Sequence, residues 1–350
     1  MKKSLIALAV LGAYAGVASA QSSVKLDGTV DLNLGTIKNG SAAGGAQQKR
    51  MGQDGINSSQ FRVSGIEDLG GGLKAGFNLN AGHNADTGTA NAKFWNRRST
   101  VSLMGGFGEV RLGRDYTPTF WNQTLFDPFG TNGIGTTIIF TSNGLGTNAT
   151  TAVRADNAVS YFTPALGGFD AHVMVTPNES VAGATGNKYS GVRFGYAAGP
   201  LALGASFGST TVLAVSNADD KLKLSNFAAS YKFGPAKVNV ILAQAKTGDR
   251  KQSNLQLGTN ITMGQGELRA AFNKVNASGG AVNSGFGEAD DKTHFAIGYV
   301  YNLSTRTALY GTYASLKNKA ATKEILGGSA TGMLNAEKST GAEFGLRHFF

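Results

Sequence analysis

The sequence predicts an all-β fold: a transmembrane antiparallel β-barrel of sixteen strands with a long third loop folded into the pore. Three observations predict it. Apolar and polar residues alternate strictly, the alternating segments run to about ten residues, and the connections between them alternate between short and long. Soluble strands average about 5 to 6 residues, whereas strands that cross a membrane need about ten and show this alternation.

The first residues have the composition of an export signal. Lys2 and Lys3 precede an apolar run over residues 5–17, which the small residues 18–20 follow. The run is too short for a transmembrane helix, which needs about 20 apolar residues, and the layout is that of a cleavable signal peptide. We therefore predict that residues 1–20 are removed and that residues 21–350 form one barrel domain in the outer membrane.

The first segment of that domain establishes the periodicity. Val24, Leu26, Val30 and Leu32 alternate with polar residues such as Lys25, with a period of two residues. The same pattern recurs at 201–207, 227–233, 295–301 and 344–350. Aromatic residues near strand ends are expected at the membrane interfaces: Tyr161, Phe162, Phe169, Tyr196, Tyr231, Phe233, Tyr299, Tyr301, Tyr310 and Tyr313.

The connections give the strand number. Seven tight turns are predicted at 69–72, 105–108, 164–168, 199–200, 234–235, 264–266 and 302–304. Eight longer polar loops are predicted around 38–58, 83–94, 116–154, 177–187, 209–221, 247–251, 276–291 and 318–337. The strands between them are placed at 23–37, 59–68, 72–82, 95–104, 108–115, 155–163, 168–176, 188–198, 200–208, 222–233, 235–246, 252–263, 266–275, 292–302, 305–317 and 338–350. Sixteen strands enclose an aqueous channel, whereas eight would be filled by side chains.

The phase of the alternation selects the residues that line this channel. If the apolar positions face lipid, their polar neighbours face the lumen: Lys25, Gln60, Arg62, Arg98 and Arg111. An arginine at the lipid midplane costs a few kcal/mol, so the lumen is the place for these charges. Each arginine alone could also be an ordinary solvated or salt-bridged residue.

The third loop, about 116–154, is long and partly apolar: Phe120, Trp121, Leu125, Phe126, Phe129, Ile134, Ile138, Ile139 and Phe140. Loops of this length are usually functional or disordered, and the apolar content favours packing against the inner wall over a surface lid. Asp127, its main acid, is expected to face the arginines across the opening. Arg97 and Arg114 fall off the simple phase, which predicts rim positions or a β-bulge.

Four stretches carry a resemblance: 24–31 (VKLDGTVD), 64–75 (SGIEDLGGGLKA), 106–114 (GFGEVRLGR) and the C-terminal Phe350. In their order and their coincidence with the turns they resemble the general porin family of Gram-negative bacteria, in its neisserial and burkholderial branch. The pattern covers the whole mature chain. The resemblance implies a homotrimer with one pore per subunit, an inward third loop, and basic wall residues facing acidic loop residues.

The resemblance also assigns roles to single residues. Arg114 matches the family's pore arginine in the Leu-Gly-Arg stretch that opens the third loop. Many members have Arg where this chain has Gln60, which changes the size of the basic cluster. Phe350 ends a strand that is similar to the signal read by the barrel-assembly machinery; physically it is equally a last strand with an aromatic end.

The charge balance indicates the partners. The chain carries a formal net charge of +10, and losing Lys2 and Lys3 leaves +8 on the exported domain. The cations are scattered singly instead of forming the basic stripe that nucleic-acid binding needs, so nucleic acid is not expected. Lipopolysaccharide phosphates, outer-membrane lipid and small hydrophilic or anionic solutes are the expected partners, with a weak to moderate anion preference for passive diffusion.

Two other classes compete with a channel. A barrel enzyme needs a nucleophile with a nearby base, but His83, His172, His294 and His348 are scattered and are expected at rims or on the surface. No metal-spaced pair appears, so no catalytic residue, metal or cofactor is predicted. A surface adhesin or structural barrel would have a plugged interior or a separate passenger domain, and no linker separates one here. Conductance without turnover distinguishes the three classes.

Overall fold

The computed structural model describes residues 23–40, 47–137, 151–177, 188–211, 221–279, 291–319, 324–327 and 338–350. The predicted signal at 1–20 lies outside the described residues, as do Ile138, Ile139 and Phe140 of the third loop. The described part of the chain contains eighteen strand segments and the helix α1 (Pro118–Phe126).

The strands follow the chain in this order: β1 (Ser23–Gly40), β2 (Gln47–Gln53), β3 (Gln60–Gly70), β4 (Leu73–Asn84), β5 (Thr89–Ala90), β6 (Arg98–Gly105), β7 (Gly108–Tyr116), β8 (Arg154–Phe162), β9 (Phe169–Val175), β10 (Tyr189–Ala198), β11 (Leu201–Thr211), β12 (Lys221–Phe233), β13 (Ala236–Thr247), β14 (Arg250–Met263), β15 (Gly266–Ser278), β16 (Lys292–Asn302), β17 (Thr307–Asn318) and β18 (Lys338–Phe349). The two short segments β2 and β5 extend loops: β2 pairs with part of β1, and β5 pairs with the end of β4.

The other sixteen strands form the wall of a closed antiparallel barrel, in which every strand pairs with two neighbours. β1 closes the wall because it pairs with β3 over its first half and with β18 over its second half. The chain end completes the seam: the backbone N–H of Phe350 donates to Gly28 O at 3.2 Å, and Gly28 N–H donates to Phe350 O at 3.1 Å. The predicted sixteen-stranded barrel is confirmed.

The alternation in sequence becomes an alternation between two faces. In β12, Phe227, Tyr231 and Phe233 are about half exposed, whereas Asn226 and Ala228 between the outward positions are buried. The other wall strands repeat this pattern, with large apolar side chains exposed on the outside. Such an apolar outer face suits a hydrocarbon environment and leaves the polar face inside. Within the described residues, the helices are all too short or too polar to cross a membrane.

The helix α1 follows β7 directly and begins at a standard cap. The side chain of Thr117 accepts a hydrogen bond from Phe120 N at 3.3 Å, and Pro118 occupies the first turn, where its missing N–H costs nothing. Just before it, the pairing of β7 with β8 shifts register between Gly113 and Asp115, where Gly113 has φ +121°. This irregularity lies next to Arg114, at one of the positions where the sequence departs from the simple phase.

Candidate functional site

The first part of the third loop packs against the inner faces of β9–β13. Phe126 at the end of α1 lies in a buried cluster with Ala228, Ile241 and Ala243. These inward side chains of β12 and β13 leave room for the aromatic ring. The apolar residues that distinguish this loop from the others therefore bury themselves against the wall.

Polar groups fix the same contact. Asn122 donates to Asn226 Oδ1 at 2.5 Å and accepts from Arg193 Nε at 3.1 Å, and Asn226 donates to Thr119 O at 3.1 Å. Asn122 and Asn226 are buried, so these bonds satisfy groups that have lost contact with water. They set the position of α1 along the wall.

The second part of the loop continues along the wall to β15–β18. Phe129 and Ile134 are buried in a cluster with Ala271, Val275, Ala296, Ala314, Leu316 and Leu326. His294 Nε2 lies 3.0 Å from Ile134 O and its Nδ1 lies 3.1 Å from Asn273 Nδ2, so the proton belongs on Nε2. His294 is not the rim or surface residue expected from the sequence, because the loop covers it; His172 is likewise buried and stacks on Phe162.

The structure corrects the placement expected for Asp127. Its carboxylate is buried and accepts hydrogen bonds from Gln256 Nε2 at 2.7 Å and from the backbone N–H groups of Thr131, Thr137 and Phe129. Burial raises the pKa of Asp127, and these hydrogen bonds oppose the rise. Asp127 therefore holds the loop in shape and does not present its charge to water opposite the arginines.

A second loop also turns inward, and a buried carboxylate on β1 holds it. Asp31 accepts from the backbone N–H groups of Gly55, Ile56 and Asn57, at 3.3, 2.9 and 2.7 Å, and from the hydroxyl of Tyr310. Tyr310 was expected among the interfacial aromatics, but it faces inward and is buried. We call residues 54–59 the latch segment.

The latch segment touches the third loop. Ser58 Oγ donates to Asn132 Oδ1 at 2.8 Å, and Ile134 N donates to Glu343 Oε1 of β18 at 3.4 Å. A Cβ added to Gly133 would lie 2.2 Å from Gly55 O, which shows how closely the two backbones approach; Gly133 also has φ +64°. The two loops therefore form one connected structure on the inner face.

The predicted lumen arginines form two ion-paired groups. Arg62 donates to Asp27 Oδ1 at 2.8 and 2.6 Å, and the mostly exposed Lys25 lies 3.2 Å from Asp27 Oδ2. Arg98 and Arg111 share Asp115, at 2.8 and 2.5 Å, and Arg111 also pairs with Glu109. In both groups carboxylates offset much of the positive charge.

Arg114 has a different environment. It donates to Asn96 O at 2.7 Å and to Asp156 Oδ1 at 2.6 Å, and Asp156 also pairs with the exposed Lys93. Its charge is therefore shared in a network at the loop end of β7 and β8. Within the described residues, Arg114 shares no hydrogen-bond partner with Arg62, Arg98 or Arg111.

A third group, which we call the Tyr116 group, contains two cations whose direct partners are neutral. Arg97 Nη2 and Arg154 Nη2 both donate to the Tyr116 hydroxyl, at 2.8 and 2.7 Å, and Arg154 lies over the Tyr116 ring at 4.3 Å. Gln60 Oε1 accepts from Arg97 Nε at 3.0 Å and from Asn80 Nδ2 at 2.8 Å. Within the described residues, the arginines that form ion pairs are different ones: Arg62, Arg98, Arg111, Arg114, Arg193 and Arg269.

The Tyr116 group adjoins the third loop. The ring of Tyr116 stacks on Phe120 with centroids 5.2 Å apart and lies 6.0 Å from Trp121. Two guanidinium groups thus stand beside the loop, and in the described part of the chain neither is in ion-pair contact with a carboxylate. The sequence predicted Gln60 on the lumen face and put Arg97 off the strand phase, at a rim or a β-bulge, but it did not select Arg154. The sequence feature that could have drawn attention to both arginines is that each lies where a loop meets the start of a strand, Arg97 before β6 and Arg154 at β8. At such positions the strand phase no longer predicts the direction of a side chain.

The fold and this inner wall define a transmembrane β-barrel with a polar, charged interior. A family model for Gram-negative porins matches residues 7–321. Outer membrane porin protein 32 of Delftia acidovorans is 41% identical over the full length of both chains, and an outer membrane porin protein of Bordetella pertussis is 29% identical over the full length of both. A solved structure described as an anion-selective porin from Comamonas acidovorans superimposes with a TM-score of 0.85 at 37% identity, covering 94% of this chain and 100% of that one.

The chain belongs to the Gram-negative porin family. It is an outer-membrane channel protein for the passive diffusion of small hydrophilic solutes, as the sequence predicted.

Proposed function

We propose that this channel prefers anions and that the Tyr116 group sets the preference. The observation that carries the proposal is the pair of guanidinium groups, Arg97 and Arg154, whose hydrogen bonds go to neutral acceptors. A cation without a direct ion pair attracts counter-ions and repels ions of its own sign at the place where they pass. The description of the related Comamonas structure as anion-selective supports the same direction.

The narrow region lies between the third loop and the wall that carries the arginines. The contacts of Phe126 and Ile134 support a loop that lies along the inner faces of β9–β18, which leaves the first half of β1 with β3, β4, β6 and β7 for solutes. Lys25, Gln60, Arg62, Arg98 and Arg111 line that side, with Arg114 at its loop end. Asp127 contributes indirectly, because its hydrogen bonds fix the shape of the third loop.

The assembled protein is a homotrimer with one pore per subunit, exported by a signal peptide at residues 1–20, and not an enzyme. Phe350 is the signal for the barrel-assembly machinery, and the seam that it forms with Gly28 supports a role in closing the barrel. Lipopolysaccharide surrounds the trimer in the outer leaflet. The family match supports these assignments.

Recording of the purified protein in a planar bilayer tests the channel and its assembly. Stepwise conductance with closures in three equal substates is expected from a trimer of independent pores. A silent membrane would contradict the channel function, and single-level closures would contradict three pores. Ion passage without turnover of a solute distinguishes the channel from an enzyme.

A further inference from the structure

Three lysines form a row on the outer surface of the barrel, at the end of the strands that carries the long loops. Lys223 of β12 lies directly opposite Lys246 of β13, and Lys246 lies directly opposite Lys251 of β14. All three side chains are exposed and alternate with buried inward-facing neighbours, so they point away from the lumen. We call them the lysine row.

The lysine row concentrates positive charge at one level of the outer surface. Like charges directly opposite each other on neighbouring strands destabilise a sheet, yet here two such pairs occur side by side. In the part of the chain that the structure describes, the lysines that form ion pairs are others: Lys25, Lys93, Lys292 and Lys319. A partner outside the chain would relieve the repulsion.

The surface below the lysine row becomes apolar within two levels of the sheet. Moving along the strands from the lysine row toward the middle of the wall, the first row of outward-facing side chains is Ser225, Gln244 and Ser253. The second row is Phe227, Leu242 and Leu255. This order, from cationic to hydroxyl and amide to apolar, follows the order of a phospholipid or glycolipid from its headgroup to its chains.

Two grooves on this face continue the same order. A groove of about 560 Å³ extends from Lys223 and Lys246 to Val192 and Phe207. A second groove of about 430 Å³ starts at Phe227 and Leu242 and is lined almost entirely by apolar side chains, among them Phe194 and Leu203. An amphiphile whose charged groups contact the lysines has room for its chains directly beneath.

We propose that the lysine row and the two grooves bind a phosphorylated glycolipid of the outer leaflet, with its phosphates on Lys223, Lys246 and Lys251. The ammonium group of lysine is a compact point charge that binds phosphate, and clusters of basic residues at a membrane surface bind anionic headgroups. A second copy of this chain presenting the same face would oppose lysine to lysine, so the lipid is the occupant. This inference rests on the proposed contact of the barrel with lipopolysaccharide.

The test compares two triple variants of protein refolded without lipopolysaccharide. Lys223→Gln/Lys246→Gln/Lys251→Gln removes the lysine row. Lys74→Gln/Lys232→Gln/Lys237→Gln removes the same charge at the turn end of the barrel, away from the lysine row. Binding of fluorescent lipid A to each protein in detergent is measured by titration, with dephosphorylated lipid A and inorganic phosphate as competitors.

The lysine-row variant should bind lipid A at least about tenfold more weakly than the wild type, since each basic residue near an anionic surface contributes several-fold. The control variant should bind within about twofold of the wild type, because its lysines lie at the opposite end of the barrel and a twofold change is within the range of a weak surface ion pair. Dephosphorylated lipid A and inorganic phosphate should compete poorly. Equal binding by both variants, or full competition by phosphate alone, would overturn the proposed site.

Failure of the wild type itself to bind lipid A would overturn both this site and the proposed lipopolysaccharide contact. The channel function is judged separately, because the lysine row faces away from the lumen. The lysine-row variant should keep the single-channel conductance and reversal potential of the wild type. A changed reversal potential would place these lysines in the ion path and contradict the outward orientation on which the site depends.

Discussion

Gln60 determines how many cations the Tyr116 group contains, because its amide oxygen accepts from Arg97 at a position that could hold a third guanidinium. The neighbouring Arg62 faces the same lumen but is held by Asp27. Position therefore matters more than the number of arginines: a cation balanced by a carboxylate contributes little to the field that a passing ion meets.

Gln60→Arg is expected to strengthen the anion preference. A unit charge about 4 Å from another contributes about 1 kcal/mol in water, which corresponds to a several-fold rise in the chloride-to-potassium permeability ratio. The reversal potential in a salt gradient measures it. Arg62→Gln is the matched control, because its charge lies in the Asp27 pair; an equal and opposite shift in that variant would show that the Tyr116 group has no special position.

Wherever a strand is regular, the period of two residues gives each side chain an expected direction, so the lumen-facing positions follow from the sequence as a prediction. The sequence placed Arg97 only at a rim or a β-bulge, and it foresaw neither a role for Arg154 nor the burial of Asp127; Arg97 lies just before β6 and Arg154 is the first residue of β8. Those positions depend on where the third loop packs, and the loop is placed by contacts with residues more than a hundred positions away, such as Asn122 with Asn226.

At the scale of elements, the strands were predictable and the loops were not. The predicted and observed strand bounds agree within a few residues for most of the wall, because turns with glycine and proline mark the ends. The inward latch segment was not foreseen, because 54–59 reads as an ordinary polar loop. Its anchor, Asp31, appears in sequence as one more polar residue of an alternating strand.

Asp31→Asn is expected to loosen the latch segment and, through Ser58 and Asn132, the third loop. Hydrogen bonds to a charged acceptor contribute about 1.5–3 kcal/mol each, and the amide retains a single acceptor oxygen for the N–H groups of 55–57. Increased open-channel current noise in bilayer recordings is the expected result.

The control for this variant is Asp27→Asn, which removes a lumen carboxylate whose ion pairs are with Lys25 and Arg62 and not with the latch segment. It should change ion selectivity without adding noise. Quiet currents from Asp31→Asn, indistinguishable from those of the wild type, would mean that the two loops are held independently of this carboxylate.

At the scale of the whole molecule, the wall that the structure describes has no free edge, because β1 pairs with both β3 and β18. The ring of Phe350 lies against Gly28, where an added Cβ would come within 2.3 Å of it. Deleting Phe350 removes two backbone hydrogen bonds of the seam, about 1–3 kcal/mol together, and exposes the edge of β1.

The Phe350 deletion should therefore fold more slowly into detergent or lipid and lose its compact form at a lower temperature, as read from heat-dependent migration on gels. Phe344→Ala, which shortens an exposed outer side chain, serves as the control for lost aromatic surface. Identical folding of the deletion and the wild type would show that the seam closes without its last residue.

The reversal potential of the wild type and of Arg97→Gln/Arg154→Gln across a potassium chloride gradient tests the central claim most directly. The wild type should give the sign of an anion-preferring channel, and the double variant should approach or cross zero while conducting normally. A cation-preferring wild type, or a double variant with the wild-type potential, would contradict the assignment of selectivity to the two arginines on Tyr116 beside the third loop.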